Sequence, residues 1–188
     1  MLQLLFESVN YTPLYHATWS DNVYSIIRDE HFKLSHHATH QYDFALNQKY
    51  GKGRKYYFSL ARSKDNSYTR TDLFDPNMAI FEFQREELSL KYDIGPVNYF
   101  HYGSDSVDGD GVGNRGINSF EYEERLFSNK PTIPLKHCRA LHVTKKYTNH
   151  SKFEMVLSML DQLSYTIQLV VYEDELSLIS NRGGNRIV

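Results

Sequence analysis

The chain has 188 residues, which is enough for one domain with its own hydrophobic core. Its 21 Lys and Arg against 23 Asp and Glu give a net charge of -2, so overall charge does not favour a polyanionic partner. The single cysteine, Cys138, cannot form an internal disulfide, the first residues lack a secretory signal, and no apolar run approaches the ~20 residues that span a bilayer. We therefore expect one soluble domain over 1–188, without a membrane partner, in a reducing cytoplasm.

Short strands and a few helices account for the first half of the chain. In chain order, we predict a strand over residues 13–18, a helix ending near residue 30, a strand over 55–60, a short helix over 63–70 and a strand over 78–84. Ser20 or Asp21 is expected to cap the first helix. Residues 35–53 are polar and rich in histidine, which predicts a loop or a weak helix.

The second half begins with a glycine-rich stretch. Residues 101–118 contain five of the ten glycines and predict a long loop, a kind of segment that is often functional. The elements predicted after it are strands over 120–127 and 138–144, a helix over 151–163 with Ser151 near its N-cap, a strand over 165–174 and a flexible tail over 180–188. This pattern predicts an α+β fold with a largely antiparallel sheet and helices packed on it.

Three segments carry side chains that suit ligand binding or catalysis. They are LYHATWSDNVYSII from Leu14, GRKYYFSLARSKDNSY from Gly53 and FEYEERLF from Phe120. Taken singly, each favours an ordinary role, because a strand histidine or a tyrosine pair more often packs a core and an acidic strand is usually a solvated edge. Their combination and order carry the functional signal.

In combination, the three segments resemble the ADP-ribosyltransferase family, in the His-Tyr-Glu class that includes diphtheria toxin and the poly(ADP-ribose) polymerases. The first segment matches that family's histidine strand at Leu14, Tyr15, His16 and Thr18, with Ala17 in place of the usual glycine. The second matches at Tyr57, Phe58, Ser59, Ser63, Lys64 and Tyr68, where the two tyrosines are eleven residues apart. The third looks like the family's acidic strand, which follows a long loop.

The resemblance implies an ADP-ribosyltransferase-like split antiparallel β-sheet core with flanking helices, and NAD as the substrate. It implies that a glutamate near the ribose stabilises the oxocarbenium-like centre that forms when the bond to nicotinamide breaks. Two tyrosine faces would clamp the nicotinamide ring, and a histidine would donate to a hydroxyl of the adenosine-side ribose. The residues that the resemblance assigns to NAD are His16, Thr18, Tyr57, Ser63, Lys64 and Tyr68.

The acidic strand leaves the catalytic residue open. Glu121-Tyr122-Glu123 reads as the Glu-x-Glu pair of the arginine-modifying branch, which makes Glu123 catalytic and Glu121 the residue that activates the acceptor. Glu124, on the opposite face of the strand, is the alternative. The serine that binds the nicotinamide amide in the polymerases falls on Asp65, so Ser63, Ser67 or backbone groups would take its place.

These features predict a mono-ADP-ribosyltransferase that acts on a protein or a nucleic acid, contacted by the 101–118 loop. The alternatives are an RNA 2'-phosphotransferase of the same fold and a catalytically inactive binding module. No metal is expected, because the 101–118 loop does not fit a calcium-binding register and His36, His37 and His40 lack a completing acid. The cytoplasmic setting suits a phage-encoded or toxin-like protein. For a phage-encoded protein, this setting is the cytoplasm of the host.

Overall fold

A nine-stranded, mostly antiparallel sheet forms the centre of the described part of the molecule. The computed structural model describes residues 12–36, 51–64, 78–97, 123–180 and 184–186. The strands of this sheet are β1 (Pro13–Trp19), β3 (Ser35–His36), β4 (Tyr56–Ala61), β5 (Met78–Gln84), β6 (Asp93–Val97), β7 (Glu123–Ser128), β9 (Cys138–Thr144), β10 (Gln168–Tyr172) and β11 (Asn185–Arg186). Their order is β11-β10-β9-β5-β1-β4-β7-β6, and β3 pairs with β4.

Helices and a small second sheet pack around this centre. The helices are α1 (Ser20–Asp29), α2 (Arg85–Ser89), α3 (Phe153–Gln162) and α4 (Glu175–Ser180), with 3-10 turns at Leu135–His137 and Lys145–Asn149. Strands β2 (His31–Lys33) and β8 (Thr132–Pro134) form a two-stranded sheet. No helix in the described segments is long and apolar enough to cross a bilayer.

The sheet has two faces, and each has its own core. On the first face, Leu14, Phe81 and Phe83 pack with residues of α1 and α3. On the second face, the core around Ile80 includes Leu178 of the short helix α4. Strand β5 lies between β1 and β9 with apolar side chains on both faces, which explains its nearly continuous apolar sequence, MAIFEFQ.

The sheet splits at the boundary between β1 and β4. Strand β1 pairs with β5 along its whole length, from Pro13 opposite Gln84 to Trp19 opposite Met78. Against β4, by contrast, β1 has one paired position, Tyr15 opposite Ala61. The two halves of the sheet are therefore joined by few backbone hydrogen bonds, and side chains at this seam decide how the halves are spaced.

The predicted strands are observed with small differences in their ends, but the predicted cap of the first helix is wrong. Helix α1 begins at Ser20 after Trp19, with no side-chain hydrogen bond at the cap. The N-cap of α3 is Lys152, next to Ser151, near which it was predicted. Asn185 and Arg186 lie in the predicted tail, yet they pair with β10 as an edge strand. The predicted helix over 63–70 lies mostly outside the described residues, and the 101–118 loop lies wholly outside them.

Candidate functional site

A cleft of about 330 Å³ opens on the first face of the sheet, beside the seam. Strands β1, β2 and β4 and one side of α1 enclose it. Its lining side chains are His16, Thr18, Asn22, Ser25, Ile26, Asp29, His31, Phe32, Lys33 and Phe58. This volume and mixed polar and apolar lining suit part of a small organic ligand.

His16 spans the seam at the inner end of this cleft. Its Nδ1 lies 3.0 Å from the carbonyl oxygen of Ser59, and its ring packs 4.2 Å from the ring of Phe58, centroid to centroid. Burial lowers the pKa of His16 to about 4, although the bond to Ser59 opposes the shift. The ring is therefore neutral near pH 7. Because a carbonyl only accepts, Nδ1 carries the proton and Nε2 is left as an acceptor.

Polar groups of α1 and β1 line the cleft next to His16. Asn22 donates its side-chain amide to Thr18 Oγ1 at 3.1 Å, which leaves the Thr18 hydroxyl hydrogen available to another acceptor. On the far side, Asp29 forms an ion pair with Arg28, whose hydrogen bond lowers the pKa of the Asp29 carboxyl. Lys33 adds an exposed positive charge near this side.

Glu124 lies at the start of β7 and is completely buried. Nε of Arg62 donates to Oε1 of Glu124 at 2.8 Å, and Nε of Arg85 donates to Oε2 at 2.7 Å. Each arginine side chain is about one third exposed, so each guanidinium reaches from the solvent boundary to a carboxylate withdrawn from water. The two guanidiniums compensate the charge that burial would otherwise leave unpaired.

The strand register puts His16 and Glu124 on the same face of the sheet. Paired residues of neighbouring strands point to the same face of a sheet. Tyr15 pairs with Ala61, and Ala61 pairs with position 123, so these three positions share the second face. His16 and Glu124, each one residue along, therefore share the first face. Two interstrand spacings separate their backbones, about 10 Å.

Tyr57 and position 123 lie on the second face. Tyr57 pairs with Phe127, and its ring packs 4.3 Å from the guanidinium carbon of Arg125. The backbone of Glu123 pairs with Ala61 and Val97. The structure therefore does not bring Tyr57 together with His16 at the cleft. Tyr68 and Glu121, two further residues of the predicted site, lie outside the described residues.

Lys64 lies in a buried polar cluster on the second face. Its ammonium lies 2.7 Å from the Tyr172 hydroxyl and 3.0 Å from His142 Nδ1, and His142 Nε2 lies 2.8 Å from Glu82 Oε2. Burial lowers the pKa of Lys64 to about 8. With 2% of its surface exposed, Lys64 lies away from the cleft, although the resemblance assigned it to NAD. Ser63 is half-buried in the turn before it.

Two basic residues that precede β4 pair with an acidic residue of β6. Lys52 and Arg54 donate to the two oxygens of Asp93 at 2.8 and 2.9 Å. His36 packs its ring edge-on against Tyr56, whereas His37 and His40 lie outside the described residues. Within the described ranges, no three His, Cys, Asp or Glu side chains converge on a possible metal position.

Arg62 and Arg85 are the site residues that sequence reasoning missed. Arg62 follows the last residue of β4, and Arg85 follows the last residue of β5. The only signal in the sequence was an arginine directly after each of two strands. That signal becomes useful once the strand order puts both strand ends near the start of β7.

Comparison with solved structures identifies the fold. DarT from Thermus sp. 2.9 in complex with carba-NAD+ matches with a TM-score of 0.50 and 11% identity over 87% of this chain and 96% of that chain. The same protein in complex with ADP-ribosylated ssDNA matches with a TM-score of 0.46 and 14% identity over 83% and 92% of the two chains. No family model and no curated protein matches the chain. The predicted ADP-ribosyltransferase-like fold is confirmed.

Proposed function

We propose that this protein is an NAD-dependent ADP-ribosyltransferase that acts on a protein or nucleic-acid acceptor. One observation carries the proposal: a neutral His16 in a cleft beside the seam shares a sheet face with a buried glutamate, Glu124. The fold supports it, because the DarT structure with the same architecture holds carba-NAD+.

The chemistry requires a carboxylate near the ribose that carries nicotinamide. The bond between C1' of that ribose and the ring nitrogen breaks, its electron pair leaves with neutral nicotinamide, and positive charge develops at C1'. A nucleophile of the acceptor then forms a bond to C1' and loses its proton. A carboxylate that accepts a hydrogen bond from the 2'-hydroxyl stabilises the developing charge.

Glu124 is better supported in this role than Glu123. The Glu-x-Glu pattern favoured Glu123, but the register puts position 123 on the face opposite to His16 and the cleft. A dinucleotide bound along the first face would meet Glu124 about two strands away from His16. Arg62 and Arg85 orient its carboxylate. Two nitrogens of Arg62 contact Oε1, whereas Oε2 accepts from Arg85 Nε and keeps a further lone pair for a ribose hydroxyl.

The cleft around His16 suits the adenosine half of NAD. Because Nδ1 is engaged by Ser59, Nε2 of His16 would accept a hydrogen bond from a ribose hydroxyl instead of donating one. Thr18 and Asn22 offer hydroxyl and amide groups beside it, and Lys33 supplies positive charge for a phosphate. The contact of the 101–118 loop with the acceptor stays a prediction.

Nicotinamide release tests this function directly. The purified protein is incubated with NAD, alone and with single-stranded DNA, RNA or a protein extract, and free nicotinamide and labelled acceptor are measured. We expect Glu124→Gln to abolish release and Glu123→Gln to retain most of it. Isothermal titration with NAD and a thermal unfolding curve accompany each variant, so that loss of binding or folding is recognised. Full activity in Glu124→Gln would contradict the assignment of Glu124, and no NAD binding by the wild type would contradict the function.

A further inference from the structure

The turn after β4 connects the two faces of the sheet within three residues. Arg62, at its start, reaches Glu124 on the first face, with Nε and Nη2 each 2.8 Å from Oε1. Lys64, at its end, enters the buried cluster on the second face and lies over the ring of Tyr172, 4.6 Å from its centroid. A displacement of either end of this turn therefore moves the other end.

The ladder between β1 and β4, the strand that leads into this turn, has one paired position. At the seam, β1 and β4 share the pair of Tyr15 and Ala61 and the bond from His16 to Ser59. Lys64 adds a side-chain connection there, because its ammonium lies 5.8 Å from the ring centroid of Tyr15 on β1. The Lys64 cluster is thus a side-chain link across a boundary at which the ladder has one paired position.

The hydrogen bonds of the cluster run in a single direction. Glu82 accepts, so Nε2 of His142 carries the ring proton and donates to it. Burial and the neighbouring Lys64 lower the pKa of His142, so the ring is neutral and its Nδ1 accepts from the Lys64 ammonium. The Tyr172 hydroxyl accepts a second hydrogen from Lys64. Strands β5, β9 and β10 thus hold the amine through three side chains of fixed orientation.

A buried amine of this kind adds little to the free energy of unfolding by itself. Taking an ammonium out of water is costly, and a well-packed apolar side chain of similar volume is often as stable or more stable. What the apolar side chain cannot supply is a directed set of hydrogen bonds that fixes the chain position.

We propose that Lys64 is a positioning residue that anchors the turn after β4 in the second-face cluster and so holds Arg62 against Glu124. The inference that this affects turnover rests on the proposed function. The inference that Lys64 governs the Arg62–Glu124 pair does not, and it is tested separately.

A double-mutant cycle on unfolding tests the positioning itself. Urea midpoints are measured for the wild type, Lys64→Met, Glu124→Gln and the double variant. Lys64 contacts His142 and Tyr172, and Glu124 contacts Arg62 and Arg85, so two independent sites would give additive shifts. We expect the double variant to differ clearly from the sum, because the Lys64 change already loosens the pair. The matched control is Lys52→Met. Lys52 lies near the other end of β4 and pairs with Asp93. The cycle of Lys52→Met with Glu124→Gln should be additive. Additive shifts for Lys64 overturn the proposal.

Turnover provides the second readout. If the wild type cleaves NAD, Lys64→Met should lower kcat at least about tenfold and leave KM for NAD within about twofold, since misplaced catalytic groups mainly slow the chemical step. Lys52→Met should keep both constants. An unchanged kcat in Lys64→Met overturns the proposal. If the wild type does not cleave NAD, the proposed function fails, and the unfolding cycle still decides the role of Lys64.

A milder variant covers the case in which Lys64→Met does not fold. Tyr172→Phe removes the hydroxyl that accepts from Lys64 and keeps the ring. Its cycle with Glu124→Gln should show non-additivity of the same sign and smaller size. Additivity in that cycle overturns the proposal as well.

Discussion

Arg62 grips a single oxygen of Glu124 with two nitrogens, Nε and Nη2, each 2.8 Å from Oε1. The two residues lie at neighbouring strand ends, since Leu60 of β4 pairs with Glu124 of β7. Arg85 reaches the other oxygen from the first turn of α2. A fully buried carboxylate held in this way has one orientation, which is what a group that must meet a particular ribose hydroxyl requires.

We predict that Arg62→Gln and Arg85→Gln each lower the free energy of unfolding by about 2 kcal/mol, because each leaves Glu124 with one charged partner. The loss should be much smaller when the same arginine is changed in a Glu124→Gln background, where the buried charge is gone. Urea denaturation of the three single and two double variants measures this. Equal losses in both backgrounds would show that the arginines stabilise the fold independently of Glu124.

Activity measurements test whether Arg62 also orients Glu124 for catalysis, beyond its effect on stability. If Glu124 is the catalytic carboxylate, Arg62→Gln should reduce nicotinamide release by about 100-fold, the scale seen when one preorganised electrostatic partner is lost. Arg62→Lys keeps the charge but not the two-nitrogen grip, so it should recover only part of the rate. Steady-state release of nicotinamide at saturating NAD gives the comparison. Full rescue by Lys would show that charge, and not orientation, is what Arg62 supplies.

We expect His16 to bond across the seam through Nδ1 and to bind the ligand through Nε2. His16→Asn puts an amide donor near the Nδ1 position, where it can still bond to Ser59, but it offers nothing at Nε2. We expect this variant to unfold like the wild type and to bind NAD about tenfold more weakly, as loss of one hydrogen bond implies. His16→Ala should lose both stability and affinity. Calorimetric titration with NAD and thermal unfolding distinguish these outcomes, and unchanged affinity in His16→Asn would remove His16 from the ligand site.

The same histidine predicts a pH effect on stability. The pKa of His16 is lowered to about 4 in the folded chain from 6.5, so between these values the unfolded chain binds a proton that the folded chain does not. Stability contributed by His16 is therefore present above pH 6.5 and is lost as pH falls towards 4. His137 is shifted in the same direction by burial, so the difference between wild type and His16→Asn isolates the part that belongs to His16. Parallel curves for the two proteins between pH 4 and 6.5 would contradict this assignment.

Much of the fold could be predicted because the signals are local. The β-formers of MAIFEFQ predict β5, and apolar spacing at Val156 and Leu160 predicts α3. The cap of α1 could not be predicted in the same way. Ser20 satisfies the preference for a cap, but packing buries it as the first residue of α1. Tertiary contacts outweighed a preference worth about 1 kcal/mol.

The candidate site was harder to predict because it depends on register between distant strands. His16 and Thr18 were identified from a local motif, and both line the cleft. The choice between Glu123 and Glu124 depends on how β7 pairs with β4, and a shift of one residue reverses the face of every side chain. Lys64 was assigned to NAD because it matches a local motif, and nothing local in the sequence shows that His142 and Tyr172 surround it.

Lys64 predicts a second pH effect, at alkaline pH. Burial lowers its pKa to about 8 from 10.5, so between these values the unfolded chain holds a proton that the folded chain has lost. Stability should therefore rise with pH across this window relative to Lys64→Met, which has no amine. Tyr15, Glu82, His142 and Tyr172 face the amine, and all of them are retained in the variant. Urea unfolding of both proteins at several pH values between 8 and 10.5 gives the difference. A difference that is constant across the window would show that Lys64 keeps an ordinary pKa.

A substitution at Gly184 tests the contact between the edge strand β11 and the ring of Tyr172. A Cβ added at Gly184 would lie 2.7 Å from two ring atoms of Tyr172 and 2.9 Å from a methyl group of Val170, closer than real Cβ contacts come. Tyr172 is buried and its hydroxyl bonds to Lys64, so the ring cannot move aside without cost. We expect Gly184→Ala to lower the free energy of unfolding by about 1–3 kcal/mol, the usual range for overpacking. Asn185→Ala, one residue along the same exposed strand, is the matched control and should change it by less than about 0.5 kcal/mol. Equal effects of the two substitutions in urea denaturation would mean that β11 does not pack closely on Tyr172.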